Sequence, residues 1–269
     1  MTHALFPLAL ALAMQEGAAL PERLPADLAL REDGAQTYTF TCDYLETDAD
    51  DRFVGKHHIR GTYVRDPEAK KVRWSDVRIA FAKELEDELQ AGELQEYMQG
   101  FEYSPTAGFT LFLPNFFATF PSTPEATFAK NLVWDTYMLE DFGRNHFEHL
   151  ELNRPYEPPA SRSRAPLAGM GAFQNRDIEL SWIGVSQRNG ERCALIQYRA
   201  FFNRFEMALG ETTYAGSSHY WGTIWVSLED KEIEHATLNE EVSMRIRSGD
   251  AEEKRYRVLR LGELSKERG

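Results

Sequence analysis

The chain has 269 residues, 42% of them hydrophobic and 12% aromatic, with two cysteines. That is enough apolar material for a sizeable core, and it excludes disordered, collagen-like and disulfide-scaffold classes. With 43 acidic against 30 basic side chains the formal net charge is −13; it repels phosphate backbones, no basic patch offsets it, and nucleic acid is excluded as an expected partner.

In chain order, residues 4–14 (ALFPLALALAM) have the length of a signal-peptide apolar stretch, are too short to span a bilayer, and are followed by small residues at Ala18 and Ala19. Met1, Thr2 and His3 supply none of the Lys or Arg with which such leaders usually begin. The expectation is export to the periplasm or the exterior, with 1–19 removed, 20–269 forming one β-rich domain, and no integral membrane segment in the mature chain. A packed N-terminal helix in a cytoplasmic protein is the alternative.

Past the leader, period-two alternation dominates and predicts strands. Tyr38, Phe40, Cys42 and Tyr44 share one face of the first, and a second covers about 57–64. A third runs over 71–81 and changes phase: Val72 and Trp74 have one parity, whereas Val77, Ile79 and Phe81 have the other. A β-bulge near Ser75-Asp76 accounts for this, and a strand buried on both faces is the competing explanation. Residues 83–99 read as an acidic helix. The Phe- and Leu-rich run at 109–120 contains Pro114 and so is not a central strand. Thr123-Pro124 starts a second helix, expected to reach about Phe142.

Residues 153–171, rich in proline and arginine, read as a long crossing loop. A meander of long antiparallel strands follows. Asn189-Gly190 is a type I′ hairpin signal; it joins 178–186 to 193–203, where Ala194, Ile196, Tyr198, Ala200 and Phe202 share a face. Strands at 212–228, 232–247 and 256–261 complete the set. The predicted fold is therefore mainly β with helices (α+β): a large curved antiparallel sheet or half-barrel, with two helices inserted after the third strand.

The stretch Tyr220-Trp221-Gly222-Thr223-Ile224-Trp225-Val226-Ser227-Leu228, followed by Lys231-Glu232-Ile233-Glu234, resembles a strand-turn-strand of the lipoprotein-carrier proteins of bacterial envelopes. Three strands, a helical insertion and a long-stranded meander also make an arrangement that resembles that family's half-barrel. The resemblance implies a half-barrel holding acyl chains between its concave face and lid helices. It carries over no individual site residue, and this chain departs from the family in its helix placement and its proline-rich crossing.

The best candidates for ligand contacts are Phe112, Phe116, Phe117, Trp182, Trp221 and Trp225, because apolar cavities are lined by aromatic side chains; packing into the core is the competing role for the same residues. Trp221 and Trp225 share one parity and Ile224, Val226 and Leu228 the other, so both faces of that strand are apolar. The expected partner is an apolar small molecule or lipid, with no cofactor and no metal. His146 and His149, with Glu148 and Glu151, lie at helical spacing but lack an HExxH pattern or a third ligand. His57 and His58 alternate across a strand. Asp48, Asp50 and Asp51 lack the glycine and glutamate of a calcium loop. Gly169-Met170-Gly171 is no dinucleotide fingerprint, GxSxG and P-loop motifs are missing, and Ser217 and His219 have no orienting acid in sequence. Cys42 and Cys193 are open to either a bridge or two buried thiols. Two further functional classes stay open: a hydrolase using carboxylates and histidines at the mouth of the sheet, and a structural or interaction module.

Overall fold

Alternation builds the sheet as expected. The computed structural model describes residues 20–31, 34–89 and 91–268; the expected leader at 1–19 lies outside them. In β1 (Gln36–Asp48) Tyr38, Phe40, Cys42 and Tyr44 are buried, and in β2 (Phe53–Asp66) Ile59 and Tyr63 join them. In β3 (Lys71–Ala82) the phase change is a bulge: Asp76 has φ +49° and the register with β2 shifts between Arg60 and Thr62. Val72 and Trp74 before it and Val77 and Ile79 after it thus reach the same buried layer.

The first of the two expected helices does not form. Residues 83–99 instead make bends, the two-residue strand β4 (Glu93–Leu94) and a 3-10 turn at Glu96–Met98. Glu84 and Glu88 repel at helical spacing, and Leu85 is exposed. Gly92, at φ +80°, brings the chain so close to β3 that a Cβ there would lie 2.9 Å from the Ile79 carbonyl carbon. After β5 (Glu102–Tyr103) comes α1 (Pro124–Glu140), the one α-helix among the described residues. Its N-cap is Thr123, whose hydroxyl accepts from Ala126 N–H, and Pro124 fills the first helical position. It passes into a π turn at Asp141–Asn145, where Gly143 lies against Ile224 and Ile233.

The crossing contains β6 (Pro155–Tyr156), β7 (Arg164–Pro166) and β8 (Gly171–Gln174). The meander follows as β9 (Glu179–Arg188), β10 (Glu191–Leu209), β11 (Thr212–Ser227), β12 (Ile233–Ser248) and β13 (Lys254–Lys266). Asn189 and Gly190 both have positive φ in the β9–β10 turn. Among the described residues these strands form one open antiparallel sheet ordered β4-β3-β2-β1-β13-β12-β11-β10-β8-β7, with β9 on the other half of β10, β6 beyond β9, and β5 on β3. One face is covered by α1, its π turn and the segment between β5 and α1; among the described residues the other carries no helix.

Phe202 is not on the buried face with Ala194, Ile196, Tyr198 and Ala200. A bulge between Ala200 and Asn203 turns it outward, 68% exposed at φ +61°, and Asn203 takes the buried position. There the Asn203 side chain donates to Ala200 O and accepts from Arg176 N–H.

β11 and β12 part locally between the Trp221–Asn239 and Ile224–Ala236 pairs. Thr223 N–H donates to the Thr237 hydroxyl at 3.1 Å, and the Tyr198 phenol donates to Thr237 O at 2.8 Å. The phenol fits because position 222 is glycine: a Cβ would lie 2.7 Å from the Tyr198 hydroxyl and 2.0 Å from Thr237 O. Gly222→Ala should therefore lower unfolding free energy by about 1–3 kcal/mol, the usual range for overpacking, and Tyr198→Phe by about 1 kcal/mol. Urea denaturation of the two variants checks this, and a fully stable Gly222→Ala protein would refute the close approach.

Candidate functional site

The covered face is closed by rings and by ion pairs. Under the π turn, Arg144 Nη2 donates to Glu232 Oε2 at 2.7 Å, the Tyr38 hydroxyl donates to the same oxygen at 2.8 Å, and Arg144 Nη1 lies 3.1 Å from Glu140. Arg65 stands 3.6 Å from Glu140 and 3.8 Å from Glu232. Two cations thus face two carboxylates. In the middle of the face Arg260 pairs with both Asp135 of α1 and Glu240 of β12, and Ser218 donates to Glu240. One cation there serves two carboxylates. Burial, opposed by Arg260 and reinforced by Glu240, pushes the Asp135 carboxyl up to about 6.

Toward the N-terminal half of α1 the cover changes character. Residues 104–120 run as successive local turns: Thr110 N–H donates to Ala107 O, Leu113 N–H to Thr110 O, and Phe116 N–H to Leu113 O. This segment is tied to the rest by Ala168 N–H to Phe112 O and by the Trp134 indole N–H to Leu111 O, both 3.1 Å. Otherwise it lies on aromatic contacts. Phe117 meets Phe101, Phe116, Phe120 and Trp134 with centroids 4.7–5.9 Å apart, and Phe112 meets Tyr137 edge-on. Beside Phe117 lies Lys130 of α1, its ammonium 5.8 Å from the ring centroid and 3.5 Å from Met170 Sδ.

Of the six sequence-predicted ligand residues, the structure gathers Phe112, Phe116 and Phe117 in this one segment. Trp182 is elsewhere on the covered face, wholly buried opposite Ile196, its indole donating to Gly184 O. Trp221 and Trp225 project from the opposite face. Trp225 packs on the His235 ring, and Trp221, 38% exposed, lines an open trough of about 410 Å³ with Glu179, Gln197, Arg199, Phe201 and Asn239. Next to the trough stand Phe202 and His219, their rings 5.2 Å apart.

The histidines and carboxylates singled out in the sequence are dispersed. His58 Nδ1 is 2.6 Å from Asp43, His57 packs between Phe81 and Phe128, and on Tyr156 the His149 ring stacks while the His146 ring is tilted. Asp48 accepts from Asp50 and Arg52 N–H as a turn residue. Among the described residues no group of three His, Cys, Asp or Glu is placed to hold a metal. Cys42 and Cys193 are separate buried thiols, pushed up to about 12 and about 11 mainly by burial. The sequence reading missed Lys130, Asp135, Arg144, Glu232, Glu240 and Arg260.

Among the described residues these features define an open antiparallel sheet with one uncovered face and one face closed by a helix and an aromatic segment. No family model and no curated protein matches the chain. Among solved structures it is similar to lipovitellin, in a structure titled "Lipid-protein interactions in lipovitellin", at 11% identity and a TM-score of 0.42 over 87% of this chain and 25% of that one. The chain thus spans about a quarter of lipovitellin's length. Among the described residues no helix is long and apolar enough to cross a membrane.

The Asp135 shift has a definite sign. Between about pH 4 and 6 the folded protein keeps a proton that the unfolded chain releases, so stability falls as pH rises through that window and levels off above it. The slope is at most about 1.4 kcal/mol per pH unit. The unfolding free energy of the protein minus that of Asp135→Asn should fall by up to about 3 kcal/mol across the window. Denaturant melts at pH 4, 5, 6 and 7 measure it, and a difference that grows with pH would contradict the assignment.

Proposed function

We propose that the protein is a non-catalytic binding protein for an apolar or amphipathic ligand, a lipid or acyl chain, and that it works in the periplasm or outside the cell. The observation that carries this reading is the segment 104–120: aromatic side chains that lie on α1 chiefly through ring contacts, while most of its main-chain bonds close on themselves. Segments with few long-range backbone bonds open at low free-energy cost, and aliphatic chains replace ring contacts without leaving polar groups unsatisfied. Phe112, Phe116 and Phe117 are the wall of this site. Export rests on residues 4–14, and N-terminal sequencing of the protein from its cells would find it beginning beyond Ala19.

A neutral probe tests the binding itself. Dodecanol at about a hundredfold its dissociation constant should stabilise the folded protein by about 2.7 kcal/mol, and native mass spectrometry should show the bound alcohol. Phe117→Ser should abolish both effects. A protein that neither carries nor gains stability from dodecanol is not a binder of this class.

A second reading, of the uncovered face as an interaction surface, is favoured by the outward aromatic group of Phe201, Phe202, His219 and Trp221. Exposed aromatic patches mark contact sites. Stable self-association in sedimentation velocity, lost in Phe202→Ser, would support it.

A further inference from the structure

Lys130 is buried, and among the described residues no anion pairs with it. It is 8% exposed, on the packed side of α1 with Ala126 and Val133. Its ammonium touches the thioether of Met170 and faces the ring of Phe117, and among the described residues no carboxylate comes within ion-pair distance. A thioether is a weak acceptor, and an unpaired charge in such surroundings is costly. Desolvation by burial lowers its proton affinity. The buried arginines differ: Arg65, Arg144 and Arg260 each face carboxylates. Lys130 also stands beside the aromatic segment, against the ring of Phe117.

We infer that Lys130 is the anion anchor of the apolar site and that the ligand is a fatty acid, its carboxylate paired with the Lys130 ammonium and its chain lying along Phe116 and Phe117. This rests on the apolar-ligand reading above and narrows it to one headgroup. A single ammonium, with no guanidinium fork or second cation beside it, matches a monoanionic carboxylate better than a dianionic phosphate. The carboxylate gives the ammonium the partner that none of the described residues supplies, and the Phe-rich segment closes over the chain.

Binding of laurate, dodecanol and dodecyl phosphate to the full chain, followed by calorimetry, tests this with Lys130→Met and Lys130→Arg. The unaltered protein should bind laurate at least tenfold more tightly than dodecanol. Lys130→Met should lose at least tenfold in laurate affinity while dodecanol moves less than threefold, and Lys130→Arg should retain laurate within about threefold. The ligand-free Lys130→Met protein should melt higher than the unaltered one, because an uncompensated buried charge is gone; a lower melting temperature would mean that the lysine has a structural partner and would overturn the inference. Equal laurate binding by Lys130→Met and the unaltered protein would overturn it and leave the apolar-ligand reading standing. Tighter binding of dodecyl phosphate than of laurate would overturn the carboxylate assignment. Failure of both laurate and dodecanol to bind the unaltered protein would remove the apolar-ligand reading and this inference together.

Discussion

A sheet of this breadth has far more apolar surface than one helix can hide, and the way that disproportion is resolved governs the molecule. The helix α1 and its π turn cover the middle of one face. The remainder is covered by residues without regular long-range hydrogen bonding, whose cohesion comes from stacked and edge-to-face rings. Ring pairs add about 0.5–1.5 kcal/mol each beyond their burial, but they do not fix backbone geometry as a ladder does. The cover is thus firm where α1 meets the sheet through ion pairs and looser where phenylalanines replace them.

The ion pairs determine where α1 sits. An arginine between carboxylates on the helix and on a strand is satisfied at one helix position only, since a shift by one residue turns the partner away from it. Breaking such a pair leaves a charge buried, which costs about 3–5 kcal/mol. Arg144 to Glu232 and Arg260 to Asp135 therefore act as two pins along the helix axis.

Local chemistry made most of the sheet legible. Tyr38 to Tyr44 alternated, Asn189-Gly190 turned, and the phase change at Ser75-Asp76 was a bulge. The acidic run at 83–99 misled because leucine spacing suggested a helix, whereas Gly92 and the pairing of Glu93 with Ile79 decided otherwise. Phe202 misled because a bulge reverses parity and no turn residue announces it. The buried charges did leave a signal that went unread. Arg65 is in phase with Tyr63, Glu240 with Leu238, and Arg260 with Val258 and Leu264, so each is a charge at a core position of its strand. What the sequence does not carry is which of them meet. Those contacts join residues as far apart as Arg65 and Glu232. The gathering of Phe112, Phe116 and Phe117 was legible for a simpler reason: they are adjacent in the chain, whereas Trp182, Trp221 and Trp225 depended on which face each strand turned inward.

Two buried groups on α1 are left with opposite imbalances. Asp135 shares one arginine with Glu240 and so belongs to a cluster with one negative charge too many; Lys130 has a positive charge and no counterpart among the described residues. They do not neutralise each other because five residues separate them, and helical side chains meet at spacings of three and four. Moving either residue by one position along the helix would have allowed the pair. An arrangement that tolerates both costs is less stable than one with the pair made. Below about pH 6 the cluster around Asp135 contains its excess by keeping a proton. The ammonium of Lys130 has no such recourse at neutral pH except to give its proton up, and desolvation already moves it that way. Below about pH 6 the imbalance at Asp135 is thus resolved inside the protein, whereas the one at Lys130 is resolved most completely by an anion from outside, delivered to the part of the cover held chiefly by ring contacts.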